Sequence, residues 1–150
     1  MAWVPMSELV DIASAAWEVL DPEVFDRYMQ SSIVRIHHDE MVQHAFRELM
    51  TSTAGDVKSV LSCSPQLWEL MSHRACKIKV LDGGEPGFSV LRMYDVPNGF
   101  ASSVGYQEGW RSAFAALLQQ CQAYADVKVN VDPSNSRIDY HCSWTWNQTW

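Results

Sequence analysis

Near His73 the hydrophobic period of this chain changes from about 3.6 residues to about 2, with no linker composition at the change. Upstream, the apolar residues fall on helical stripes. Leu9, Val10, Ile12, Ala13, Ala16, Trp17 and Leu20 follow Ser7, a residue suited to capping a helix. Asp21-Pro22-Glu23 then restarts the chain with a capping acid, a proline in the first turn and a second acid near the positive helix end. The stripe that follows carries Val24, Phe25, Tyr28 and Met29, and the next carries Met41, Val42, Ala45, Phe46, Leu49 and Met50 up to a break at Thr51 to Gly55. Ser64-Pro65 opens a short helix with Leu67, Trp68, Leu70 and Met71.

Downstream, Cys76, Ile78 and Val80 alternate with Lys77 and Lys79, and DGGEPG supplies a turn. The strand after it sets Ser89, Leu91 and Met93 on one side and Phe88, Val90, Arg92 and Tyr94 on the other. GYQEGWRSAFAALLQQC is a helix, and a hairpin follows in which Val127, Val129 and Val131 precede the turn at Asp132 to Asn135. Ile138, Tyr140, Cys142, Trp144 and Trp146 share one face of the last strand. The expectation is an α+β fold in one domain spanning 1–150. Residues 1–74 form its helical part, and residues 75–150 form a β-β-α-β-β unit with an antiparallel sheet.

A length of 150 residues with 47% hydrophobic content suffices for one core. The net charge of -7 and the absence of a Lys/Arg stripe argue against nucleic acid. No run of apolar residues approaches the ~20 that span a bilayer, and the first residues lack the basic segment of a signal peptide. Cys63, Cys76, Cys121 and Cys142 sit apart inside apolar patterns, which reads as buried free thiols in a reducing cytoplasm. On the same grounds Asn147-Gln-Thr149 is not read as a glycosylation site.

Gly105 and Gly109 are set four residues apart where the quoted helix begins, and each costs roughly 1 kcal/mol relative to alanine. With Ala113 they make a row of small residues along which a neighbouring element, or a ligand, can lie close. Trp110 and Tyr106 border that row on the apolar side of the helix.

The second half resembles the vinyl-reductase-type and haem-nitric-oxide-binding sensory domains. The likeness is carried by SVGYQEGWRSAFAALL, set between two pairs of strands after a helical first half. The pattern from MSELVDIASAAW through SPQLWELM to RIDYHCSWTW is similar to an uncharacterised duplicated domain family of myxobacteria. The resemblance implies a bacterial sensory domain with a pocket between helices and sheet. Its cofactor ligands are missing: the last hairpin holds only Cys142 where zinc-binding relatives have several thiols. Residues 52–66 contain no histidine, and FSVLRMYD lacks the propionate-binding motif. No haem, zinc or other cofactor is expected.

His37, Glu40 and His44 fall on adjacent turns of one helix face, a spacing that could share protons or hold a metal. A solvated polar face explains them as well. His73 with Cys76 is a weaker pairing, and His141 beside Cys142 points to the opposite face of a strand. No GxSxG elbow, phosphate-cradling GxxxxGK or GxGxxG occurs, so no catalytic residue is assigned.

Three functions follow. The first is a non-catalytic regulatory domain that binds a small apolar or aromatic molecule and signals to a protein partner, with Trp68, Arg92, Tyr94, Tyr106, Gly109 and Trp110 as the ligand site. The second is a protein-interaction or homodimerisation module with a filled core, for which Trp3 and Trp150 are candidate surface anchors. The third is a small enzyme using His37, Glu40 or His44.

Overall fold

Asp21 shows how directly the local signals are obeyed. Its carboxylate accepts the Val24 backbone N–H at 3.0 Å, and Pro22 takes the first position of the helix it starts. The computed structural model describes residues 6–36, 40–72, 76–97 and 99–146. The helical part contains α1 (Met6–Val19), α2 (Pro22–Ile36), α3 (Glu40–Ser52), α4 (Val57–Ser62) and α5 (Ser64–Ser72). The remainder runs β1 (Lys77–Asp82), β2 (Phe88–Tyr94), α6 (Val104–Gln120), β3 (Ala123–Asp132) and β4 (Arg137–Trp146). The fold is α+β, as the change of period predicts.

One element escapes the periodicity. α4 is six residues long, too short to show a stripe. It is set by Asp56, whose carboxylate accepts the Ser59 N–H at 2.9 Å and the Ser59 hydroxyl at 2.7 Å. It buries Val57, Val60 and Leu61 completely.

The four strands form one antiparallel sheet in the order β1-β2-β4-β3, so the two hairpins meet through β2 and β4. Val80, Leu91, Tyr140 and Val129 stand opposite one another across the sheet and share a face. That face meets α6, because the Phe114 ring packs on Tyr140 at 5.0 Å between centroids. Lys79, Arg92, Asp139 and Asn130 occupy the adjoining register positions and point to the other face. α6 lies along β3 and carries α1 and α2 on its far side, while α5 packs beside β1. Leu91, Met93, Leu118, Ile138, Tyr140 and Cys142 fill the space between α6 and the sheet. Among the described residues, no helix is long and apolar enough to cross a membrane.

The paired glycines of α6 have separate reasons. A Cβ at Gly105 would lie 2.4 Å from the Ala13 carbonyl oxygen and 2.6 Å from Ser14 Cα, so the α1 backbone crosses α6 at this point. A Cβ at Gly109 would meet only the Met29 side chain, its terminal methyl at 2.8 Å. The small row is a helix-helix contact, with α1 seated on one glycine and a side chain of α2 on the other.

Candidate functional site

The aromatic residues singled out in the sequence are brought together in part. Ser103 caps α6, its hydroxyl accepting the Tyr106 N–H at 3.2 Å, and the helix then places Tyr106, Trp110 and Phe114 on successive turns. Trp68 of α5 reaches Trp110, with ring centroids 4.4 Å apart in an edge contact. Its indole N–H donates to the Cys76 carbonyl at 2.9 Å. Tyr106 lies 6.3 Å from Trp110 and 5.7 Å from Phe100. The rings therefore fill the space between α5, α6 and the sheet with one another.

Burial sets the chemistry inside this cluster. The Tyr106 hydroxyl lies against the Cys76 thiol and makes no hydrogen bond of normal geometry. Desolvation raises the Tyr106 hydroxyl far above its ordinary range, with the Cys76 thiol adding to the shift. Desolvation also pushes the Cys76 thiol up to about 11, against weaker lowering by Tyr106 and Trp68. Both groups stay neutral at physiological pH and are poor nucleophiles.

Arg92 and Tyr94 do not join the cluster. Strand alternation turns them to the opposite face of the sheet from Trp68, Tyr106, Gly109 and Trp110, so the expected six-residue site divides in two. Arg92 grips Asp139 through both ends of its guanidinium, at 2.8 and 2.7 Å. Lys77 and Lys79 flank the Tyr94 ring at 5.6 and 5.5 Å from its centroid. Those side chains are committed to partners within the sheet face.

Of the expected polar triad, Glu40 begins α3 and His44 lies one turn further on, while His37 falls outside the described residues. His44 Nε2 lies 3.4 Å from Glu48, both side chains being exposed. The pair borders an open groove of 790 Å³ lined also by Arg47, Leu49, Cys63 and Gln66. Among the described residues, no group of His, Cys, Asp or Glu has the arrangement of a metal site. Trp3, His73, Asn147 to Thr149 and Trp150 also fall outside the described residues.

A second surface went unread in the sequence. α1 faces the rest of the molecule with Val10, Ala13 and Trp17, the last in edge contact with Phe25 at 5.0 Å. Leu9, Ile12 and Val19 are 46%, 51% and 82% exposed. At about 100° per residue they fall with Ala16 in an arc of about 80° beside the buried face. Glu8 borders that arc on its other side, with Asp11 and Glu18 further round, and all three are exposed. The width of the apolar stripe was the available signal, because Leu9 through Leu20 covers more of the helix circumference than one contact face needs.

No family model matches the sequence, and no curated protein is similar to it in sequence. The fold is similar to a solved structure, a trafficking protein particle complex subunit 3 from Naegleria fowleri covalently bound to palmitic acid. The TM-score is 0.59 at 6% identity, over 93% of this chain and 92% of that chain. This likeness corrects the family reading. The chain is built like a trafficking-complex subunit, a different fold family from the vinyl-reductase-type and haem-nitric-oxide-binding sensory domains. The assignment to a bacterial signalling and ligand-sensing class falls with it. The misreading has a physical source, since helices followed by a β-β-α-β-β order is a packing solution and carries no site chemistry of its own.

Proposed function

We propose that this chain is a non-catalytic protein-interaction subunit of the cytoplasm that holds a partner protein on the exposed apolar stripe of α1. The observation that carries the reading is the exposure of Leu9, Ile12 and Val19 along one side of one helix. Single exposed apolar residues are ordinary, but a line of them beside a packed helix face is an unfilled contact. Burying a Leu, Ile or Val side chain fully is worth ~1.5–3 kcal/mol, so an occupant covering three of them gains substantially. The likeness to a subunit of a multi-protein particle supports the same reading. The thiols of Cys63, Cys76, Cys121 and Cys142 are all unpaired, which suits a reducing compartment.

The test is affinity recovery from a lysate of the source cells with the wild-type chain and an Ile12→Ser/Val19→Ser variant of equal thermal midpoint. The reading expects a discrete protein retained by the wild type and lost with the variant. Identical recoveries from both chains overturn it.

A further inference from the structure

We infer that the α1 stripe takes an amphipathic helix of a different protein, one whose apolar seam is bordered by Lys or Arg. This rests on the interaction reading above and names the chemistry of the partner. Leu9, Ile12, Ala16 and Val19 recur at i, i+3, i+7 and i+10, the seam pattern along which one helix packs against another. Ala16 keeps the middle of the seam low, so a partner helix can approach closely there.

Charge decides between occupants. α1 contains Glu8, Asp11 and Glu18 and no Lys or Arg. Glu8 flanks the seam on its open side and Asp11 and Glu18 lie further round the same exposed side, and none of the three has a partner among the described residues. A second copy would bring like charges to the rims of a shared seam, which is unfavourable. An anionic membrane surface is repelled for the same reason, since interfacial helices carry basic polar faces. A helix with basic flanks satisfies both the seam and its rim. The open border also explains why the acids stand unpaired on a face where cations would be easy to place.

The experiment uses the full chain and two synthetic helical peptides with the same Leu/Ile seam, one flanked by Lys and one by Glu, titrated by fluorescence anisotropy. The Lys-flanked peptide is expected to bind roughly tenfold tighter, with the advantage shrinking at high salt. Ile12→Ser should weaken binding, and Glu8→Lys/Asp11→Lys/Glu18→Lys should reverse the preference between peptides. The charge-reversed chain alters only exposed positions, so it remains informative if Ile12→Ser fails to fold. Equal binding of the two peptides overturns the inference while leaving α1 as a contact face. No binding of either peptide overturns it too, and the lysate comparison then decides the broader reading on its own. Sedimentation velocity that shows a wild-type dimer abolished by Ile12→Ser makes a second copy the occupant, which also overturns it. Binding of the wild type to phosphatidylserine vesicles does the same.

Discussion

Replacing Gly105 and Gly109 by alanine, one at a time, should give opposite results from the same chemical change. In a helix interior the exchange is worth about 1 kcal/mol in favour of alanine. At Gly105 the new methyl would sit 2.4 Å from the Ala13 oxygen and 2.6 Å from both Ala13 C and Ser14 Cα. Ordinary contacts lie at ~3.5–4.0 Å, so α1 must retreat by about 1 Å. Backbone cannot swing aside as a side chain does, and a gap of that size forfeits a quarter to a half of the dispersion along the contact, by order of magnitude. Val10 and Ala13 lose packing, and the 2.7 Å hydrogen bond between the Ser14 and Ser103 hydroxyls stretches. Overpacking of this kind costs ~1–3 kcal/mol, and rigid backbone puts it in the upper half of that range, so that ~1–2 kcal/mol of destabilisation remains after the helix preference. At Gly109 the obstacle is the Met29 methyl at 2.8 Å, the free end of a flexible side chain. There the helix preference survives nearly whole. At ~2–4 °C per kcal/mol for a chain of this size, Gly105→Ala should melt roughly 2–8 °C below the wild type. Gly109→Ala should melt at or slightly above it. Circular dichroism melts of the three proteins, with urea midpoints alongside, decide the matter. A Gly105→Ala chain as stable as the wild type refutes the close crossing of α1. An equal fall in both variants refutes the distinction between backbone and side-chain neighbours.

Gly109→Leu adds more volume than Met29 can yield, and it should lower the unfolding free energy by the ~1–3 kcal/mol typical of overpacking, read as a fall in the urea midpoint. Asp26 accepts hydrogen bonds from Arg111 and from the fully buried Ser112 hydroxyl, tying α2 to α6. Asp26→Ala strands the buried Ser112 hydroxyl and leaves Arg111 with Glu108, which should cost ~1–3 kcal/mol, whereas Asp26→Asn should retain part of the stability, both read from urea unfolding. Burial raises the Cys76 thiol to about 11 and the Cys142 thiol to about 12 from an ordinary value of 9.0. The folded chain therefore holds these protons more tightly than the unfolded chain. Their contribution to stability is whole below about pH 9 and is lost as the pH rises toward the folded values. The urea midpoint should fall between about pH 9 and 11, less steeply in Cys142→Ala, and a midpoint that rises over this range contradicts the burial of both thiols.

The helices and strands were legible because each carries its period and its punctuation within a few neighbouring residues. Asp21-Pro22, Ser64-Pro65 and the turn at Asp132 act locally, and the valines of β3 declare a strand without reference to anything distant. α4 was not legible, since six residues hold too little of a period to register. The divided site was half legible. Alternation along β2 already put Arg92 and Tyr94 on one side of that strand. Only the pairing of β2 with β4, and the side on which α6 lies, decided that this side faces away from Trp68 and Trp110.

The sequence by itself determined which residues are helical, which alternate, and that α6 offers a row of small residues to something. Those properties follow from covalent geometry and neighbours within one or two turns. The tertiary structure decided what that something is, because Gly105 and Ala13 are far apart in the chain and meet only when α1 crosses α6. It also decided which half of the broad apolar surface of α1 is used. Val10, Ala13 and Trp17 are apolar in the same sense as Leu9, Ile12 and Val19, and hydrophobicity has no direction until a neighbour supplies one.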